Sequence, residues 1–150
     1  LKYRNSPHLA ADVAKIMAET PGLGEFLKDS VLIPVPLHFA RKMKRGYNQS
    51  EIIADAAKRA FPRAGMTISN ALRRIKRTDT QTHLTREERA ENIRGAFEAQ
   101  KGKTSKIPKG AHIVIVDDVM TSGATMSECA KILKEEGFKN VDAFAFARKM

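Results

Sequence analysis

Two rhythms of apolar residues run along the chain. Ile113 to Val116 is an unbroken β-branched run, which suits a strand buried on both faces in the middle of a parallel sheet. Asp117 and Asp118 fall where that strand is expected to end, and Thr121, Ser122, Gly123, Ala124 and Thr125, all small, make a tight turn. Met126, Cys129, Ala130 and Leu133 then recur at helical spacing up to Gly137, and Val141 to Ala147 reads as a last strand. Earlier, Ser6 and Pro7 read as an N-cap and a first-turn proline for a helix from about Pro7 to Glu19, carried by Leu9, Val13, Ile16 and Met17 and stopped by Thr20, Pro21 and Gly22. Phe26 and Leu27 suggest a short helix before a strand at Val31 to Ile33, which the prolines at 34 and 36 end.

A long basic loop follows to Tyr47. Asn48 with Glu51 reads as an N-cap pair, and Ile52, Ile53, Ala56, Ala57, Ala60 and Phe61 give the next helix a broad buried face. Short strands are expected at Met66 to Ile68, Ala71 to Ile75 and Ala96 to Ala99. Thr85 and Glu88 have capping-box spacing for a helix over Arg86 to Asn92. Thr78 to His83 shows no periodicity and is expected to be mobile, and Lys101 to Gly110 reads as a polar link. Strands alternating with helices in this way argue for an α/β domain with a parallel sheet covered on both faces. Two loops, Pro34 to Asn48 and Asp117 to Thr125, would then open on the same sheet edge, each following a strand and preceding a helix.

Composition narrows the function classes. At 150 residues, 42% hydrophobic and 29% charged, residues 1–150 read as one globular domain, with no apolar run long enough to span a bilayer. The single cysteine, Cys129, excludes an internal disulfide or a cysteine-rich zinc site within these residues and sits on an apolar helix face. His8, His38, His83 and His112 do not form a spaced metal cluster; of these, His38 lies in the basic loop. A net charge of +10 points to an anionic partner or substrate. The basic residues gather at Arg41, Lys42, Lys44 and Arg45, at Arg73, Arg74, Lys76 and Arg77, and at Lys101, Lys103, Lys106 and Lys109, the last group reading as a solvated face.

The acid pair and the turn after it carry the chemistry. Carboxylates accept hydroxyl donors, while the free backbone N–H groups at a helix start, approached through a glycine, suit a phosphate. Together they point to a sugar phosphate. Taken singly, each half has a plain structural reading, as helix-dipole partners or as the residues any strand-to-helix turn needs. No GxxxxGK[ST] or GxGxxG occurs, and the acid pair comes too late in the chain for a phosphorelay receiver.

The stretch VIVDDVMTSGAT resembles the signature of type I phosphoribosyltransferases. Pro34, Val35 and Pro36, then Arg45 to Gln49, and later Arg77, Thr78, Gln81, Leu84, Arg89, Asn92, Gly95 and Phe97 resemble the ComF branch of that family, so the likeness covers nearly the whole chain. It implies a Rossmann-like parallel-sheet domain with a flexible flap at about residues 73–97, to which Arg73, Arg77, Thr78, Gln81 and Arg89 would belong. It also implies that Asp117 and Asp118 hold the ribose hydroxyls of phosphoribosyl pyrophosphate and that Thr121, Ser122, Gly123, Ala124 and Thr125 hold its 5′-phosphate. Val35, Pro36, Leu37, Arg41, Lys44 and Arg45 would receive the pyrophosphate, with Asp117, Asp118 and Arg45 as the catalytic set. Mg²⁺ is the implied cofactor, bridging substrate oxygens rather than held in a protein cage, with Asp117 and Asp118 as the nearest carboxylates.

The implied reaction transfers 5-phosphoribosyl to a nitrogen nucleophile and releases pyrophosphate. Thr121 stands where many purine-salvage members carry an acid, so no general base for a purine is evident there. The ComF likeness carries an alternative: a DNA-uptake (competence) accessory that binds single-stranded DNA and keeps a non-catalytic or regulatory phosphoribosyl pyrophosphate site. A homodimer and a cytoplasmic location are further expectations. So is a cysteine-rich zinc-binding segment preceding Leu1 in a longer protein.

Overall fold

Ile113 to Val116 lies between two parallel strands. In the computed structural model, which describes residues 7–38, 42–44, 46–76 and 84–149, a four-stranded parallel sheet runs in the order β2 (Thr67–Ile68), β1 (Val31–Pro34), β5 (Ile113–Met120) and β6 (Val141–Arg148). Ile33, Ile113 and Ile115 enter one core, whereas Leu32, Val114 and Val116 enter another. The unbroken apolar run therefore feeds both faces of the sheet in alternation, as burial on two sides requires.

Helices α1 (Pro7–Ala18), α2 (Leu23–Leu27) and α3 (Gln49–Ala60) cover the face of Leu32 and Val114, contributing Val13, Met17, Leu23, Leu27, Ile53, Ala56 and Ala57. On the other face lies α6 (Ala124–Glu135), with Cys129 and Leu133 buried. Beside it an antiparallel pair, β3 (Leu72–Arg74) with β4 (Phe97–Ala99), brings in Leu72 and Phe97. The helix between those two strands, α4 (Arg86–Ile93), buries Ile93 in the same core.

Four expectations are corrected. In α1 only Val13 and Met17 are buried, while Leu9 and Ile16 are 40% and 52% exposed; α1 lies at the rim of the core, beyond α3, so a narrow stripe suffices. The stretch from Lys101 is not simply a polar link. Lys101–Thr104 forms a short helix, α5, whose last residue, Thr104, is buried, and Ile107 beyond it is buried in the core. β3 stops at Arg74, one residue short of Ile75, which is 48% exposed. The fourth concerns β5 and belongs to the site.

The capping box is present as the spacing predicts. Thr85 Oγ1 accepts from Glu88 N at 3.1 Å and Glu88 Oε2 accepts from Thr85 N at 2.7 Å. The N-cap expected at Ser6 and the aperiodic stretch Thr78 to His83 lie outside the described residues. Among the described residues no helix is long and apolar enough to cross a membrane.

Candidate functional site

β5 continues through its acids. Asp117 is in register with Ala145, Val119 with Ala147 and Met120 with Arg148, so the strand ends four residues beyond Val116. The ladder needs only backbone donors and acceptors, and β6 supplies an eight-residue partner, so the change from apolar to acidic side chains does not end the pairing. Asp117 is therefore fixed by the sheet, not by a loop.

On its other side β5 loses its neighbour at this point. β1 stops at Pro34, and the last rung is Val35 N donating to Val116 O at 2.8 Å. A chain of side-chain bonds continues where the strand leaves off. Asn48 Nδ2 donates to Val35 O at 3.0 Å, and Asn48 Oδ1 accepts from Ser50 N at 3.0 Å, which caps α3. Ser50 Oγ then donates to Asp117 Oδ1 at 3.1 Å, the same oxygen that accepts from Asp118 N at 2.8 Å. Both Asn48 and Ser50 are buried. Asn48 was legible in the sequence as a helix cap, and its partner is Ser50 N; Glu51 instead pairs with Lys42 at 3.1 Å, tying the basic loop to α3. Ser50 was missed, since a serine in the first turn of a helix carries no distinguishing signal until β5 is placed beside it.

Burial pushes the Asp117 carboxyl up to about 7, helped by the side chain and charge of Asp118 and opposed by the bonds from Asp118 N and Ser50. A half-buried carboxyl that ionises near neutrality beside a second acid is poised to accept hydroxyl donors or to answer a nearby cation. Burial likewise pushes the Cys129 thiol far above its ordinary value, which removes it as a nucleophile.

The small-residue turn follows at Thr121 to Gly123. Gly123 has φ 81°, a left-handed conformation that glycine adopts without strain, and it caps α6 with no side-chain bond. Ser122 Oγ accepts from Ala124 N at 3.4 Å, leaving other first-turn N–H groups of α6 without intrahelical partners. Asp117, Thr121, Gly123, Ala124 and Thr125 line one small cleft, so the acid and the turn are brought together. Asp118 adjoins it and accepts from Val119 N at 2.8 Å.

Of the expected pyrophosphate loop, Val35, Pro36, Leu37 and Lys44 are described; Val35 is buried beside the site and Lys44 is exposed. Arg41 and Arg45 lie outside the described residues, as do Arg77, Thr78 and Gln81 of the expected flap. Arg73 pairs with Glu98 across the antiparallel β3–β4 pair, so the segment's two ends are joined. Arg89 stands on α4.

Among the described residues no group of three or more His, Cys, Asp or Glu side chains could hold a metal. Two adjacent carboxylates do fit a hard divalent cation that takes its remaining oxygens from substrate and water, the habit of Mg²⁺.

An acid pair and a helix-capping turn at the carboxyl edge of a parallel sheet define an α/β protein of the kind whose ligand crevice lies at that edge. The chain belongs to the phosphoribosyl transferase domain family, whose pattern matches residues 4–150, and it is of the ComF-like, type I kind. It is 32% identical over 117 residues to Competence protein F of Haemophilus influenzae, covering 78% of this chain and 49% of that protein. It is 30% identical to DNA utilization protein YhgH of Salmonella typhimurium, over 100% of this chain and 65% of that one. The chain thus spans about half of one of these relatives and just under two thirds of the other. A purine phosphoribosyltransferase from Pyrococcus horikoshii is similar at 17% identity and a TM-score of 0.42, over 95% of this chain and 74% of that structure. The expected family and the expected parallel α/β fold are both borne out.

Proposed function

We propose that the chain binds phosphoribosyl pyrophosphate with Mg²⁺ at this edge and transfers its 5-phosphoribosyl group to a nitrogen nucleophile, releasing pyrophosphate. One observation carries the reading: Asp117 shares a small cleft with the Gly123-capped start of α6, so hydroxyl acceptors and phosphate donors lie side by side at the carboxyl edge of the sheet. Asp117 and Asp118 accept from the ribose 2′ and 3′ hydroxyls. The turn from Thr121 to Thr125 takes the 5′-phosphate through backbone N–H groups and hydroxyls.

Displacement at C1 passes through an oxocarbenium-like state while negative charge gathers on the departing pyrophosphate. Positioning and cations matter more than a base in such a step. Lys44, with Arg41 and Arg45 of the same loop, supplies those cations, and Arg73 and Arg89 belong to the segment that closes over the ligand. Asp117 and Asp118 would hold Mg²⁺, which would supply neutralisation of the leaving-group charge.

Binding is tested by thermal melting. Saturating phosphoribosyl pyrophosphate with Mg²⁺ raises Tm, and Asp118→Asn abolishes the rise; no shift with the unsubstituted chain sinks the proposal. Transfer is tested by release of pyrophosphate in the presence of candidate bases and amines.

The names of the relatives, a competence protein and a DNA utilization protein, together with the charge of +10, favour a second reading. In it the chain serves DNA uptake by binding single-stranded DNA, and the phosphoribosyl pyrophosphate site is regulatory. Affinity for an oligonucleotide then falls steeply with salt and is lost on charge reversal at Arg73, Arg74 and Arg77. Binding that ignores salt removes this reading.

A further inference from the structure

A second cleft, of about 400 Å³, opens between α4 and α6 and shares Ala124 with the first. We propose that it takes a second phosphoryl group joined to the 5′-phosphate, so that the site accepts ribose 5′-diphosphate derivatives as well as a terminal 5′-monoester. The proposal rests on the reading of residues 121–125 as the 5′-phosphate site.

The second cleft borders the turn itself, because Ser122 and Ala124 line it and Ala124 also lines the first. A phosphate seated in the turn therefore has an open direction of growth away from the sugar. That direction is cationic: Arg86, Arg94 and Lys131 line it against a single acid, Glu128. Glu128 is already engaged, with Oε1 accepting from Gly95 N at 3.1 Å, and Arg94 pairs with Glu91 at 3.2 Å. Arg86 and Lys131, in contrast, have no carboxylate within ion-pair distance among the described residues.

The position of Arg86 supports a ligand role. It is the first residue of α4, where the helix dipole disfavours a cation, so helix stability gives no reason for it. Lys131 lines the same cleft from α6, giving it a cation from each helix. Ala90 and Ile93 add an apolar part to the lining, which suits the flat ring of a nucleoside beyond the second phosphate. The volume lies within the range of small-molecule sites.

The test compares ribose 5-phosphate with ADP-ribose by titration calorimetry, on the unsubstituted chain and on the double variant Arg86→Ala with Lys131→Ala. Both side chains are exposed, so the variant keeps the fold. ADP-ribose should bind about tenfold tighter than ribose 5-phosphate, and the double variant should lose that advantage while holding ribose 5-phosphate within about twofold. Equal affinities, or an advantage that survives the double substitution, overturn the second-phosphate site and leave the proposed function standing. Failure of ribose 5-phosphate itself to bind overturns both.

Discussion

Ser50 Oγ donates to Asp117 Oδ1 at 3.1 Å, joining the first turn of α3 to a strand 67 residues further along the chain. Through Asn48 the same network reaches Val35 O at the end of β1. The acid is thereby held from the side on which β5 has no strand neighbour.

Replacing Ser50 with alanine removes a donor that favours the ionised form of Asp117. The carboxyl should then titrate higher than it does in the parent, and stability should fall by about 1 kcal/mol at alkaline pH, where the half-buried charge is left with one donor fewer. Carbon-13 shifts of the carboxyl followed through a pH series report the first effect, and urea unfolding the second.

The raised value of Asp117 fixes the sign of a pH effect. Its folded value of about 7 exceeds its ordinary 3.8, so the native state binds the extra proton between them. Stability from this group is fully present below about pH 4 and is lost as pH rises through about 7, at up to roughly 1.4 kcal/mol per pH unit. Asp117→Asn removes that slope, and the variant should melt higher than the parent at about pH 8. Melting curves that run parallel from about pH 5 to about pH 8 would falsify the assignment.

Asn48→Asp separates two jobs of one side chain. An aspartate still accepts from Ser50 N but cannot donate to Val35 O, and it turns a charged oxygen toward that carbonyl. Destabilisation of about 2 kcal/mol or more is expected, against about 1 kcal/mol for loss of a helix cap alone. Denaturant midpoints of Asn48→Asp and Asn48→Ala, compared in the same buffer, decide whether the β1 contact matters.

Gly123→Ala should cost roughly 1–2 kcal/mol, because its φ of 81° is one that alanine adopts under strain. Space is not the cause, since the nearest atom to an added Cβ is Met120 Sδ at 4.0 Å. Gly102→Ala is the matched control. It lies in α5 with nothing within 4 Å of an added Cβ, and it should be neutral or slightly stabilising in the same unfolding assay.

The elements that were legible in the sequence are those whose signal is local. The run from Ile113 to Val116, the capping box at Thr85 and the helix after Gly123 each announce themselves within a few residues. The end of β5 was misplaced because polarity was read as the end of pairing, whereas the length of β6 decides it. α5 was missed because one turn of helix with a single buried threonine has no periodicity to detect. At the site, Asp117 and the turn were readable from type and spacing. Ser50 was not, since its role exists only through a contact 67 residues away.

The order of the strands in the sheet has a consequence for synthesis. β5 is made late yet sits between β1 and β6, so a growing chain carries β1 with only the two-residue β2 beside it until residue 113 and those after it emerge. Parallel pairing over such a span is slow to form. Ser50 is made early and waits for Asp117, and the turn that follows the acids is later still. The cleft of Asp117 and the turn therefore comes into being only when the sheet is complete.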